Sequence, residues 1–117
     1  MISIRIVTIE QPISKLQLRD MAAAGFGDMV KAVVDIEKNT IAIGGELHAD
    51  EEEILLEHGS SQRDLWGINL YPHKPGPEWL EYDSMINIRP SQGNRSRSVE
   101  DPAVREKIAA VVNRLVS

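Results

Sequence analysis

MVKAVVDIEKNTIAIGGELH, residues 29–48, holds two apolar runs of period two on either side of Lys38-Asn39. Val30, Ala32, Val34 and Ile36 alternate with Lys31 and Asp35, while Ile41, Ile43 and Leu47 alternate with Glu46 and His48. Successive side chains of a strand point to opposite faces, so this alternation about a short polar break predicts a β-hairpin. Gly44-Gly45 in the second run predicts a bulge or a close backbone approach.

The flanking segments follow from the same kind of pattern. Upstream, MISIRIVTIEQPIS is apolar and alternating and predicts a strand; it has none of the basic start, long apolar block and small-residue cleavage site of a signal peptide. Residues 14–24, SKLQLRDMAAA, predict a helix with Ser14 and Gln17 at capping-box spacing and Gly25 and Gly27 as the stop. Downstream, ADEEEILLEHG predicts a helix with Asp50 as N-cap, Glu53 at N3 and Gly59 at its end. DLWGINLY and WLEYDSMINIR predict two strands joined by the loop PHKPGPE. The last element starts at Asp101-Pro102, an N-cap with proline at N1. Its face is Val104, Ile108, Val111 and Leu115. The order β-α-β-β-α-β-β-α predicts one α+β domain over residues 1–117, with helices packed on one face of a mostly antiparallel sheet.

Even positions are apolar in both later strands (Trp66, Ile68 and Leu70; Leu80, Tyr82, Ile86 and Ile88), so even residues should face even. The odd face then carries Asn69, Glu81, Asp83, Asn87 and Arg89, with Gly67 leaving a gap beside the carboxylates. The first hairpin adds Lys31, Asp35, Glu46 and His48 to this polar surface. Trp66 and Tyr82 fall on the core side and read as packing residues.

Composition narrows the function classes. The 117 residues carry a formal net charge of −5, which argues against general nucleic-acid binding because that needs an extended positive surface. With no cysteine there are no disulfides and no thiolate chemistry, in keeping with a cytoplasmic protein. No apolar run is long enough for a membrane span, so no membrane partner is expected. No Walker, dinucleotide or nucleophile-elbow motif is present.

Two constellations remain. Residues 86–101, INIRPSQGNRSRSVED, gather arginines in an acidic chain. Arg89, Arg95, Arg97 and Arg105 surround a helix N-terminus, with Asn87 and Asn94 as amide donors, a set suited to a phosphate-bearing small molecule or a short nucleic-acid segment. Against this stand Glu100, Asp101 and the acidic turn Glu51, Glu52 and Glu53, which offer the arginines internal partners. The second constellation is Glu46, His48, Asp83 and Asp35, where carboxylate and imidazole are suited to a divalent metal. Acidic residues at 50–53 equally suit a plain helix start.

Residues 45–72, GELHADEEEILLEHGSSQRDLWGINLYP, and 86–108, INIRPSQGNRSRSVEDPAVREKI, carry a resemblance to a family of small bacterial and archaeal domain-of-unknown-function proteins, over roughly residues 29 to 110. The resemblance implies a compact α+β domain and carries over no activity. The leading expectation is an anion-binding module built on the Arg loop, with no cofactor. The alternatives are a metal-dependent hydrolase on the polar sheet face, and a non-enzymatic homo-oligomer pairing through the edge strand Ile2 to Ile9.

Overall fold

The computed structural model describes residues 6–117, in the order β1 (Val7–Ile9), α1 (Lys15–Ala24), β2 (Val30–Asp35), β3 (Thr40–Ile43), α2 (His48–Glu57), β4 (Leu65–Leu70), β5 (Leu80–Glu81) and α3 (Pro102–Leu115). The hairpin at 30–43 is present and forms the centre of a five-stranded sheet ordered β1-β3-β2-β4-β5, with every adjacent pair antiparallel. Its turn is set by Asp35, whose Oδ1 accepts from the Glu37 and Lys38 backbone N–H groups at 2.9 Å, while Asn39 takes a left-handed φ of 56°. Residues 2–5 of the expected first strand lie outside the described residues.

Local signals fixed three helix ends as expected. Ser14 and Gln17 form the reciprocal capping box of α1, Gly25 ends it, and the Asp101 side chain accepts from Ala103 N ahead of Pro102 in α3. α2 begins at His48 rather than after Asp50, with Leu47 at the cap and no side-chain cap hydrogen bond.

The expected packing of helices on one face holds for α1 and α3. Leu18, Ala22, Ile108, Val111, Val112 and Leu115 meet Val30, Ala32, Val34, Ile41, Ile43 and the even residues of β4 in the main core. α2 takes the opposite face, where Leu55 packs on Val33, Ala42 and Leu65. The sheet is therefore covered on both sides. β2 and β3 are buried almost throughout, as strands with both faces covered must be.

A second correction concerns residues 79–89. The even-to-even register holds where the pairing exists, Leu70 opposite Leu80 and Asn69 opposite Glu81, but β5 ends at Glu81. The chain then turns through 3-10 segments at Met85–Asn87 and Pro90–Gln92. At the strand edge left unpaired beyond β5, Asn87 stands in for a neighbouring strand: its Oδ1 accepts from Gly67 N at 2.8 Å and its Nδ2 donates to Gly67 O at 3.0 Å. Gly67 is needed there, because a Cβ would lie 2.5 Å from Ser84 Cβ. The gap expected beside Gly67 is thus filled by Ser84 and Ile86.

The close approach expected at Gly44-Gly45 is real. Gly45 N donates to Glu51 Oε2 at 2.9 Å, and a Cβ on Gly45 would lie 3.0 Å from Glu51 Cγ. Glu51 is fully buried, and its Oε1 has no partner among the described residues. Burial pushes its carboxyl up to about 9, so it is neutral at pH 7; Asp50 adds to the shift, while Gly45 N–H and Lys31 oppose it.

Candidate functional site

The Arg loop is tied by hydrogen bonds to itself and to the chain at 62–67. Arg89 is buried, donating through Nε to Ile86 O at 3.1 Å and through Nη1 to Gln62 O at 2.6 Å and Gln92 Oε1 at 3.1 Å. Its Nη2 donates to Leu65 O, and its guanidinium stacks 4.3 Å from the Trp66 ring centroid. Burial lowers its affinity for the proton, with Glu52 opposing. Asn94 is buried as well: Nδ2 donates to the carbonyls of Asn87, Ser96 and Ser98, and Oδ1 accepts from Glu100 N. Asn87 adds a bond to Arg97 O at 3.0 Å.

These three side chains therefore spend their donors on the protein's own carbonyls. Arg105 lies at the surface, donating to Val99 O at 2.6 Å and Ser98 Oγ at 2.7 Å and stacking on Tyr82. Arg97 is exposed and pairs with Asp83 at 2.7 Å. Arg95 is exposed, and its side chain makes no hydrogen bond among the described residues, although its backbone N–H donates to Glu100. Glu100 accepts from Ser96 and Arg95, and these bonds hold its carboxyl below its ordinary value.

The proposed metal set is dispersed. Asp35 sits at the hairpin turn, bonded to Ser60 Oγ at 2.5 Å as well as to the two turn N–H groups. Among the described residues no three His, Asp or Glu side chains are grouped closely enough to hold a metal ion.

What the fold does gather lies at the other end of the same sheet face. Lys31 pairs across to Asn69, and Asn69 to Glu81, so one polar row crosses β2, β4 and β5. His48 opens α2 above this row, and Asp83 follows β5. With Tyr71, Arg97, Met29, Leu47, Met85 and their neighbours they line a groove of about 400 Å³. It remains open because α2 covers only part of the face and the 84–88 segment closes the Gly67 end.

The polar atoms of this floor are arranged unevenly. Asn69 Nδ2 donates to Glu81 Oε1 at 2.8 Å and to Asp83 O at 3.2 Å. Both partners only accept, which fixes the amide orientation and leaves Oδ1 as the other end. That Oδ1 is buried and has no partner among the described residues. Tyr71 OH also donates to Glu81 Oε1 at 3.1 Å; partial burial and this carboxylate raise the phenol's value.

His48 is 9% exposed, and its Nε2 lies 2.7 Å from Ile68 O. A carbonyl accepts only, so Nε2 carries the proton and Nδ1 keeps its lone pair. Burial holds the imidazole below its ordinary 6.5 and Lys31 adds to this, while the Ile68 carbonyl, Asn69 and Asp83 oppose. At neutral pH the floor thus holds two acceptors, Asn69 Oδ1 and His48 Nδ1, with no hydrogen-bond donor to either among the described residues.

Comparison with known proteins assigns residues 7–115 to the family described as protein of unknown function (DUF5674). The chain belongs to that family. No curated protein and no solved structure matches it. Membership in DUF5674 accounts for the domain as a whole and names no activity.

Of the residues singled out in the sequence, His48, Asp83 and Arg97 meet in the groove, and Lys31, Asn69 and Glu81 of the predicted polar face join them. Arg89, Asn87, Asn94 and Asp35 serve the scaffold. Asn69 and His48 as a pair were not singled out. The odd positions of the later strands put Asn69 on the polar face and the hairpin alternation added His48, but only the helix start at 48 brings the imidazole to the groove that Asn69 lines.

Proposed function

We propose that the groove binds a small molecule bearing a hydrogen-bond donor, a hydroxyl or an amine, on an apolar body. The observation that carries this is the buried Asn69 Oδ1, which has no partner among the described residues. A buried acceptor left unmade costs about 1–3 kcal/mol, and a ligand donor recovers that cost. His48 Nδ1 supplies a second acceptor to the same donor group. The rim supplies the apolar contact: Leu47 and Met85 are 56% and 65% exposed. Lys31, Arg97, Glu81 and Asp83 give the groove two cations and two carboxylates, so it is not built for a highly charged anion.

This moves the ligand away from the Arg loop, whose Arg89, Asn87 and Asn94 donors are already engaged, and keeps Arg97 as a rim contact. A thermal-shift screen of small amino and hydroxy compounds, run on the wild type and on Asn69→Leu, tests it. The expected result is stabilisation of the wild type by at least one compound class and none of the variant, since only a ligand of the native state raises its stability. Equal shifts in both proteins would place the binding elsewhere.

The reading as a homo-oligomer is favoured by one observation: β1 occupies an edge of the sheet, with Val7 partly exposed. Sedimentation velocity over a concentration series tests it. A monomer at every concentration would remove it.

A further inference from the structure

The second concentration of basic side chains lies at the hairpin end of the sheet. A hollow of about 380 Å³ is lined by Lys38 and Asn39 of the β2–β3 turn, Thr40, His58 and Ser60 at the end of α2, Thr8 beside β3, and Arg114 of α3. Glu10 is the one carboxylate on its wall. Lys38 and Arg114 are exposed, and neither is ion-paired among the described residues; residues 1–5, MISIR, contain no carboxylate that could pair with them. The nearest buried acid, Asp35, spends its oxygens on the Glu37 and Lys38 N–H groups and on Ser60 Oγ.

Cations collect at helix C-termini because the macrodipole favours them there, and both α2 and α3 end near this hollow. Here, however, several of the terminal carbonyls already accept from backbone N–H groups. His58, Gly59 and Ser60 N–H groups take the carbonyls of Ile54, Leu55 and Leu56, while Leu115 O and Ser117 O accept from Ile13 N and Lys15 N. Lys38 Nζ reaches His58 O only at 3.5 Å, and the Arg114 side chain makes no hydrogen bond among the described residues. Capping accounts for the one long contact of Lys38 to His58 O and leaves the Arg114 side chain, which lines the same polar cavity, without such a role.

We propose that this hollow is an anion site for a phosphate group, held by Lys38 and Arg114 with His58 and the Thr8 and Thr40 hydroxyls as further donors. The chemistry is that of charge-assisted hydrogen bonds, in which a guanidinium presents a planar donor pair and an ammonium a point charge. In a chain of net charge −5, such a site needs local cations without carboxylate partners, and among the described residues Lys38 and Arg114 have none. The site is separate from the groove at His48 and Asn69 and does not depend on that reading.

The test is a titration of the whole chain with inorganic phosphate, followed by amide NMR, on the wild type, the double variant Lys38→Gln/Arg114→Gln and the control Arg95→Gln/Arg97→Gln. The expected result is saturable shifts at residues 8–11, 38–40, 58–60 and 114, with a Kd of about 1 mM or tighter. The Lys38/Arg114 variant should weaken binding at least tenfold, and the Arg95/Arg97 control should leave it unchanged. Both variants alter exposed side chains, and an intact amide spectrum shows that each remains folded. Shifts centred on residues 86–101, or equal affinity in the Lys38/Arg114 variant, would overturn the proposal. So would an absence of saturable shifts.

Discussion

Replacing Glu51 with Gln should stabilise the protein at neutral pH, and by an amount that grows with pH. In the fold Glu51 is neutral up to about 9, whereas in the unfolded chain it ionises near its ordinary 4.5. The unfolded chain therefore binds fewer protons than the native one between these values, and stability falls as pH rises through that window. At about 1.4 kcal/mol per pH unit, the distance from 4.5 to pH 7 corresponds to about 3 kcal/mol. Gln has nothing to ionise and avoids this loss. Its carbonyl keeps the bond from Gly45 N, and its NH₂ falls where Oε1 has no partner among the described residues, so the neutral forms are closely matched. Urea unfolding of both proteins at several pH values from 4 to 9 measures the effect. The difference in stability should be small at pH 4 and rise steadily to about 3 kcal/mol in favour of Gln at pH 7. Parallel curves would refute the reasoning, because they would mean that Glu51 is ionised and hydrated in the fold.

The remaining predictions concern the scaffold and the groove. Asn87→Ala removes two bonds to Gly67 and one to Arg97 O, leaving buried backbone groups unpaired; a loss of about 3 kcal/mol in urea unfolding is expected. Arg89→Ala should cost at least as much, about 3–5 kcal/mol, since it strips four hydrogen bonds and a stacked cation from the interior, whereas Arg95→Ala should stay within about 0.5 kcal/mol. Similar losses for the two arginines would contradict the division of the loop drawn above. His48 binds its proton less readily in the fold than the ordinary 6.5, so the unfolded chain takes up protons first; stability should fall as pH drops below about 6.5 through the lower folded value. In His48→Gln that part of the acid slope should disappear.

How far the sequence determined these features differs along the chain. The hairpin at 30–43, the Ser14–Gln17 capping box and the Asp101-Pro102 helix start are set by near neighbours, and each is found as expected. Residues 79–89 misled because their even apolar positions also suit an extended chain that crosses the sheet edge. Tyr82 packs on the main core, Ile86 packs under α2, and Met85 and Ile88 are exposed. What ends the strand is tertiary: Asn87 replaces a backbone partner at Gly67 with its own amide. The second helical layer had a signal, Val33 and Val34 in succession, since a strand apolar on both faces must be covered on both. The arginines illustrate the opposite limit. Their clustering at 89–97 was legible, but whether a guanidinium meets solvent or a backbone carbonyl depends on Gln62 and Leu65, more than twenty residues away. For the same reason the acceptor pair at His48 and Asn69, contributed by a helix start and a strand twenty-one positions on, was not visible as a unit.

The most direct test of the groove uses its methionines. Of the four in the chain, Met29 and Met85 line it, so methyl-labelled methionine reports occupancy without an activity assay. Small amino and hydroxy compounds titrated into the labelled protein should move the Met29 and Met85 methyls together with the Asn69 side-chain amide, and should move none of them in folded Asn69→Leu. Compounds that bind without disturbing these groups, or that bind Asn69→Leu equally well, would contradict the account.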